Sequence, residues 1–145
     1  MRIANKKALS DYEIKDKIES GIELLGFEVK SIRNGQMSLD GSYVIVRGNE
    51  AFLVGATVSP YQVFNTPDDY DPSRNRKLLL KKKEMEILKD AEKQKGLTIV
   101  PLSVYNKGRF FKVEIAVGRG RKKHDKRQVL KKREADREID RTLKR

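Results

Sequence analysis

Cysteine and tryptophan are absent from the 145 residues, and histidine occurs once. Without cysteine there is no disulfide framework, no thiolate zinc site and no cysteine nucleophile; with one histidine there is no imidazole metal cluster and little scope for histidine acid–base chemistry. Long apolar runs are missing too. The opening MRIANKKALSDYE has no apolar signal core, and nowhere do about 18 apolar residues run together, so the chain reads as soluble and cytoplasmic, with no membrane partner. Phosphate-loop patterns are also lacking. The run GRGRKK (Gly118–Lys123) is not a GxGxxG turn and no GxxxxGK[ST] occurs, so no cofactor is expected.

What the chain has in quantity is positive charge: 33 Lys+Arg against 21 Asp+Glu, a formal net of +12 on one domain's length of chain. The charge is unevenly spread. Residues 118–145 hold 13 basic and 5 acidic residues, a net +8, whereas residues 1–117 hold 20 and 16, a net +4. The pattern predicts a folded body over 1–117 and a polycationic tail over 118–145, the electrostatic footprint of a protein that binds a polyanion. The plainer alternative is a solvated tail that aids solubility. Apolar residues in the tail are few (Val129, Leu130, Ala135, Ile139, Leu143). Proline is absent from it, and Glu134 with Arg137 and Glu138 with Arg141 stand at i, i+3 spacing. Such a segment is expected to be disordered when free and helical on an anion.

In the body, Tyr12, Ile14, Ile18, Ile22 and Leu24 recur on even positions, a set that also fits helical i, i+4 spacing through Ile14, Ile18 and Ile22; the three isoleucines and Gly21 tilt it to a long strand bent or bulged at the glycine. The run FEVKSIR (Phe27–Arg33), stopped by Asn34-Gly35, predicts a short helix. Two hairpins follow from turn chemistry: Tyr43–Val46 with Ala51–Val54, and Leu97–Tyr105 with Phe111–Val117 across Asn106-Lys107-Gly108. Asp71 as cap, Pro72 at the first position and Gly96 as stop predict one main helix between them, with Leu80, Ile87, Leu88 and Ala91 as its core stripe. These elements describe a mainly β fold: an OB-like closed β-barrel with one main and one or two short helices, plus the basic tail. A two-layer α+β sheet fits the same pattern.

Catalytic constellations are scarce. Asp68, Asp69 and Asp71 form the one acidic cluster of note, which suits a metal-dependent nuclease on the functional reading and a turn or cap on the structural one. Nucleic-acid features are stronger. Tyr12, Phe27, Tyr61, Phe64, Tyr105, Phe110 and Phe111 all lie near basic residues, although a small barrel needs most of its aromatics as filler, and neither tryptophan nor an RNP1-type motif is present. His124, alone among cations, suits either a solvated tail or stacking on a base.

The runs NKKA (Asn5–Ala8), GFEVKSIRNG (Gly26–Gly35), DPSRNRKLLL (Asp71–Leu80) and RGRKKHDKR (Arg119–Arg127), with Tyr12 between the first two, resemble the small protein B family, the SsrA-binding proteins of bacteria. The likeness covers nearly the whole chain in order. It implies an OB-type barrel, not an enzyme, that binds the tRNA-like domain of transfer-messenger RNA as a monomer. That complex is brought to ribosomes stalled on messages without a stop codon. The positions matching the family's RNA contacts are Asn5, Tyr12, Glu19, Leu79 and Lys112. The tail, through Gly118, Gly120, Lys122, Lys123, His124, Asp125, Lys126 and Arg127, would enter the small-subunit decoding centre and continue as a helix along the empty message channel, with His124 stacked on a ribosomal RNA base. A ribosomal or initiation-factor-like OB module and the nuclease are the competing readings.

Overall fold

A computed structural model describes residues 2–60, 62 and 66–121. In chain order these form β1 (Arg2–Ala4), α1 (Lys6–Asp11), β2 (Tyr12–Ile22), α2 (Gly26–Arg33), β3 (Met37–Ser38), β4 (Tyr43–Arg47), β5 (Glu50–Val54), β6 (Thr57–Val58), β7 (Arg76–Leu79), α3 (Lys82–Lys93), β8 (Leu97–Lys107) and β9 (Phe110–Gly120). The strands β8, β4, β5, β7, β2 and β9 pair in that order and β9 returns to β8, so six antiparallel strands close into a ring. Strand β1 pairs with β8 at Ser103–Tyr105, on the edge that meets β4 earlier at Ile99, and β3 with β6 makes a separate two-stranded sheet. Closure satisfies backbone groups that an open edge would expose. The ring is what the closed-barrel reading requires.

Its interior is apolar. Ile18, Val44, Leu53, Leu78, Ile99, Val104, Val113 and Ile115 are buried there, joined by Leu88 and Ala91 of α3 and by Ile32 of α2. In β9, Phe111, Val113, Ile115 and Val117 point in while Phe110, Lys112 and Glu114 point out, the period-two alternation expected of a half-buried strand. Both predicted hairpins form. Each turns through a glycine at the first loop position, Gly48 at φ +63° and Gly108 at φ +61°, a backbone region that glycine enters without steric cost.

Two bulges decide which side chains face the core. In β2 the register with β9 shifts between Ile14 and Lys17, and in β8 it shifts between Pro101 and Ser103. One extra residue flips every later side chain to the other face. Ile14 therefore lies outside the ring and Ile18 inside, although both hold even positions. Likewise Val100 and Leu102 point outward and Val104 inward. The outward apolar residues are covered by α1, whose Ala8 packs with Val100, Leu102 and Ala116. That part of the outer face is thereby sealed, and the part around Tyr105 and Lys112 stays open.

Four expectations are corrected. The bulge in β2 is not at Gly21, which stays paired to Leu79 on one side and Lys112 on the other. The main helix begins at Lys82, not beside Asp71; residues 76–79 are strand β7, held between β5 and β2. Arg76 and Leu78 point inward there, and burial of the Arg76 guanidinium against a carboxylate outweighs the helix signals upstream. Asp71 instead closes a turn, its Oδ1 accepting from the Ser73 N–H at 2.9 Å. In α3 the buried stripe is Met85, Leu88 and Ala91, with Ile87 exposed and Leu80 outside the helix. The chain also remains strand past 117. Gly118 and Gly120 belong to β9, and the Arg121 N–H donates to the Asp11 carbonyl at 2.8 Å. A boundary at 118 would cut through β9.

Candidate nucleic-acid interface

The open part of the outer face is built from one cross-strand row. Leu79 of β7 pairs with Gly21 of β2, Gly21 with Lys112 of β9, Lys112 with Tyr105 of β8, and Tyr105 with Arg2 of β1. Paired residues share a face, so these five positions line up across five strands. Gly21 has a steric reason to be glycine: a Cβ there would stand 3.1 Å from the Leu79 Cβ. Its bareness lets Leu79 lie over the neighbouring strand while remaining 49% exposed. Glu19, Gly21, Leu79, Lys81, Lys107 and Lys112 border an open depression of about 550 Å³.

Glu19 organises the groups around it. Its carboxylate accepts from the Tyr105 hydroxyl and, at 3.2 Å, from the Lys107 ammonium. The Tyr105 hydrogen bond and then Lys107 hold its carboxyl below the usual range. Burial, then the Glu19 carboxylate, pushes the Tyr105 phenol up to about 12. The Arg2 guanidinium sits 4.6 Å from the centroid of the Tyr105 ring, a cation–π contact that fixes another positive group on the same face. A carboxylate in this setting orients donors rather than repelling a phosphate outright. What faces solvent is Arg2, Lys107 and Lys112 with apolar surface at Leu79, interspersed with the carboxylates of Glu19, Glu84 and Glu114; the cations suit phosphate and the apolar surface suits sugar or base of a folded RNA.

Glu19, Leu79 and Lys112 of the expected contact set are thus brought together. Asn5 and Tyr12 are not. They border a separate hollow of about 180 Å³ with Lys7, Asp11 and Tyr43. Asn5 is only 2% exposed. Its Oδ1 accepts from the Ala8 N–H at 3.2 Å, capping α1, and its Nδ2 donates to the carbonyls of Pro101 at 2.8 Å and Leu39 at 3.3 Å. Such an amide pins α1 to the ring. Tyr12 is half-buried against the Ala8 cluster, and its side chain lies on Gly118, where a Cβ would come within 2.9 Å of the Tyr12 Cβ. Gly118, expected as a tail contact, is here a seat for Tyr12; Gly120 pairs with Tyr12 through the backbone. Lys122, Lys123, His124, Asp125, Lys126 and Arg127 lie outside the described residues, as do Tyr61 and Phe64.

A buried ion cluster went unread in the sequence. Glu28 and Arg76 are both fully buried, joined at 2.6 Å, and Glu28 also binds Arg74. The Tyr70 hydroxyl donates to Glu28 at 2.8 Å and lies 2.9 Å from the Val58 carbonyl, while Phe27 meets the Tyr70 ring edge-on at 4.7 Å. Burial acts to raise the Glu28 pKa, but hydrogen bonds from Arg74, the Leu25 N–H, Arg76 and Tyr70 prevail and hold it at about 2. The cluster joins the GFEVKSIRNG and DPSRNRKLLL runs, so those two stretches belong together as a clamp that places β7, and with it Leu79. No local sequence signal marks it, because Arg76 and Glu28 stand 48 residues apart in the chain. No three Asp, Glu, His or Cys side chains among the described residues stand close enough to hold a metal, and no described helix is long and apolar enough to cross a membrane.

The family model described as SmpB protein matches residues 2–145. An SsrA-binding protein of Prochlorococcus marinus strain MIT 9515 is 50% identical over 141 residues, covering 97% of this chain and 86% of the relative. One from Microcystis aeruginosa is 47% identical, covering 97% and 92%. A chain from the solved structure "tmRNA-SmpB: a journey to the center of the bacterial ribosome" superposes with a TM-score of 0.70 at 37% identity, over 89% of this chain and 94% of that one.

Proposed function

The chain belongs to the SmpB family, and on that footing we propose that it binds the tRNA-like domain of transfer-messenger RNA and delivers it to stalled ribosomes for trans-translation. It acts in the cytoplasm as a monomer on that RNA, and it supplies binding and placement while the ribosome supplies the chemistry. The observation that carries the placement is the row Leu79, Gly21, Lys112, Tyr105 and Arg2 on the stretch of outer face that α1 leaves uncovered. Lys112 and Lys107 neutralise phosphates, Leu79 packs on a ribose or base, and Glu19 holds Lys107 and Tyr105 in place. Asn5 and Tyr12 act by fixing α1 and the end of β9, with Tyr12 also presenting an edge at the second hollow.

Residues 122–145 hold 11 basic and 5 acidic residues and form the second functional part. In this reading they address the ribosome, with Lys122, Lys123, His124, Asp125, Lys126 and Arg127 in the decoding centre and the remainder in the message channel. Recovering and sequencing the RNA that copurifies with the tagged protein from bacterial lysate tests the proposal. Transfer-messenger RNA is expected as the dominant species; ribosomal RNA alone, retained at high salt, would favour an integral ribosomal protein instead.

A further inference from the structure

The tip of the β8–β9 hairpin carries an aromatic ring left without a packing task. Phe110 is 71% exposed, well beyond Leu79 at 49% and Tyr43 at 43% among the exposed large hydrophobic residues. Its orientation follows from the register. It pairs with Lys107 and stands two residues before Lys112, so all three side chains share the outer face, on the same side as Tyr105. The next residue, Phe111, takes the inward position and fills the core, so Phe110 is the ring that remains outside.

Its surroundings are cationic. Lys107 is its cross-strand partner, Arg109 precedes it in the turn, and Lys112 follows on the same face. Behind the tip, Arg33 at the end of α2 and Arg109 border a small hollow of about 180 Å³ with Asn106, Gly108 and Phe111. The turn is short, Gly108 and Arg109 alone with Gly108 at φ +61°, so the ring stands on a tightly tied hairpin. An aromatic face exposed among cations offers a base a stacking surface and its flanking phosphates a counter-charge.

We propose that Phe110 is a base-stacking platform that extends the RNA interface to the hairpin tip, taking one unpaired nucleotide whose adjoining phosphates lie against Lys107 and Arg109. This deepens the RNA-binding reading above and rests on it. The occupant is an unpaired nucleotide rather than a duplex, because a base inside a duplex is stacked on both sides and offers no free face. Charge complementarity favours RNA over an apolar peptide, which would gain nothing from the neighbouring cations Arg33, Lys107, Arg109 and Lys112.

The test uses the full-length chain and the transcribed tRNA-like domain of transfer-messenger RNA, with affinity measured by fluorescence anisotropy. Phe110→Ala and Phe110→Leu are each expected to weaken binding about tenfold, within the range that removal of one stacked base gives. Phe110→Tyr and Phe110→Trp should stay within about twofold of the parent, and melting temperatures of all four should be unchanged because the ring is not part of the core. If Phe110→Leu binds as the parent does while Phe110→Ala is weakened, the contact is apolar and the stacking proposal is overturned. If Phe110→Ala binds normally while Lys112→Ala is weakened, the proposal fails and the RNA-binding reading stands. Failure of the parent chain itself to prefer this RNA over an unrelated one would sink the reading beneath it.

Discussion

Single residues divide into those that touch RNA and those that hold the touching residues in place, and the two kinds should fail differently. Glu28 belongs to the second kind. Its carboxyl has an ordinary value of 4.5 and is held at about 2 in the fold. A depressed carboxyl stabilises the folded state above its unfolded pKa, so the contribution is full above pH 4.5 and is lost as pH falls toward 2. The difference corresponds to about 3 kcal/mol. Replacing Glu28 by Gln strands two guanidinium groups, one of them fully buried, and should cost about 3–5 kcal/mol. Urea midpoints followed from about pH 7 to about pH 3 check both effects: the parent should weaken through the acid range, and Glu28→Gln should begin weaker and lose less. Lys112 is proposed for the first kind. Lys112→Ala should leave the urea midpoint unchanged and weaken RNA binding, with a salt slope shallower by about 0.7–0.9 for the one phosphate contact removed.

At the scale of elements, the bulges of β2 and β8 do what periodicity could not disclose. Even-numbered apolar residues run through both strands. A period-two pattern read alone puts Ile14 on one face with Ile18, and Val100 and Leu102 on one face with Val104. The extra residue in each strand sends the earlier members outward, under α1, and the later ones into the core. The strands and hairpins were legible because turn glycines and alternation are local signals. Strand β7 was not, because its reason for being a strand is Glu28, 48 residues before Arg76 in the chain, and a capping pattern at Asp71-Pro72 argues for helix until that partner is known. Of the proposed contact residues, Glu19, Leu79 and Lys112 converge on one face, whereas Asn5 is buried as a clamp on α1. Gly118 gives an element-level prediction. Gly118→Val places a side chain where Tyr12 lies and should lower the melting temperature by several degrees through overpacking of about 1–3 kcal/mol. Thermal unfolding followed by circular dichroism reads it, and Gly120→Ala, which meets nothing within 4 Å, serves as the control.

For the whole molecule, the end of β9 redraws the division of charge. Cut at 117, the body holds +4 and the tail +8; cut after Arg121, where the backbone is still tied to Asp11, each part holds +6. The part that ends with β9 therefore carries as much excess charge as residues 122–145. Helix α1 seals one part of its outer face and leaves the cations of the rest exposed as the proposed interface. The two proposed binding tasks, one for each part, should separate on truncation. The decisive measurement is the affinity of a chain ending at Arg121 for the tRNA-like domain of transfer-messenger RNA, set beside its capacity to support peptide tagging on stalled ribosomes. Affinity within about tenfold of the full chain, or roughly 1.4 kcal/mol, with tagging abolished, is the predicted result. A larger loss of affinity, or tagging that survives the truncation, would contradict the division of labour between the folded ring and the basic tail.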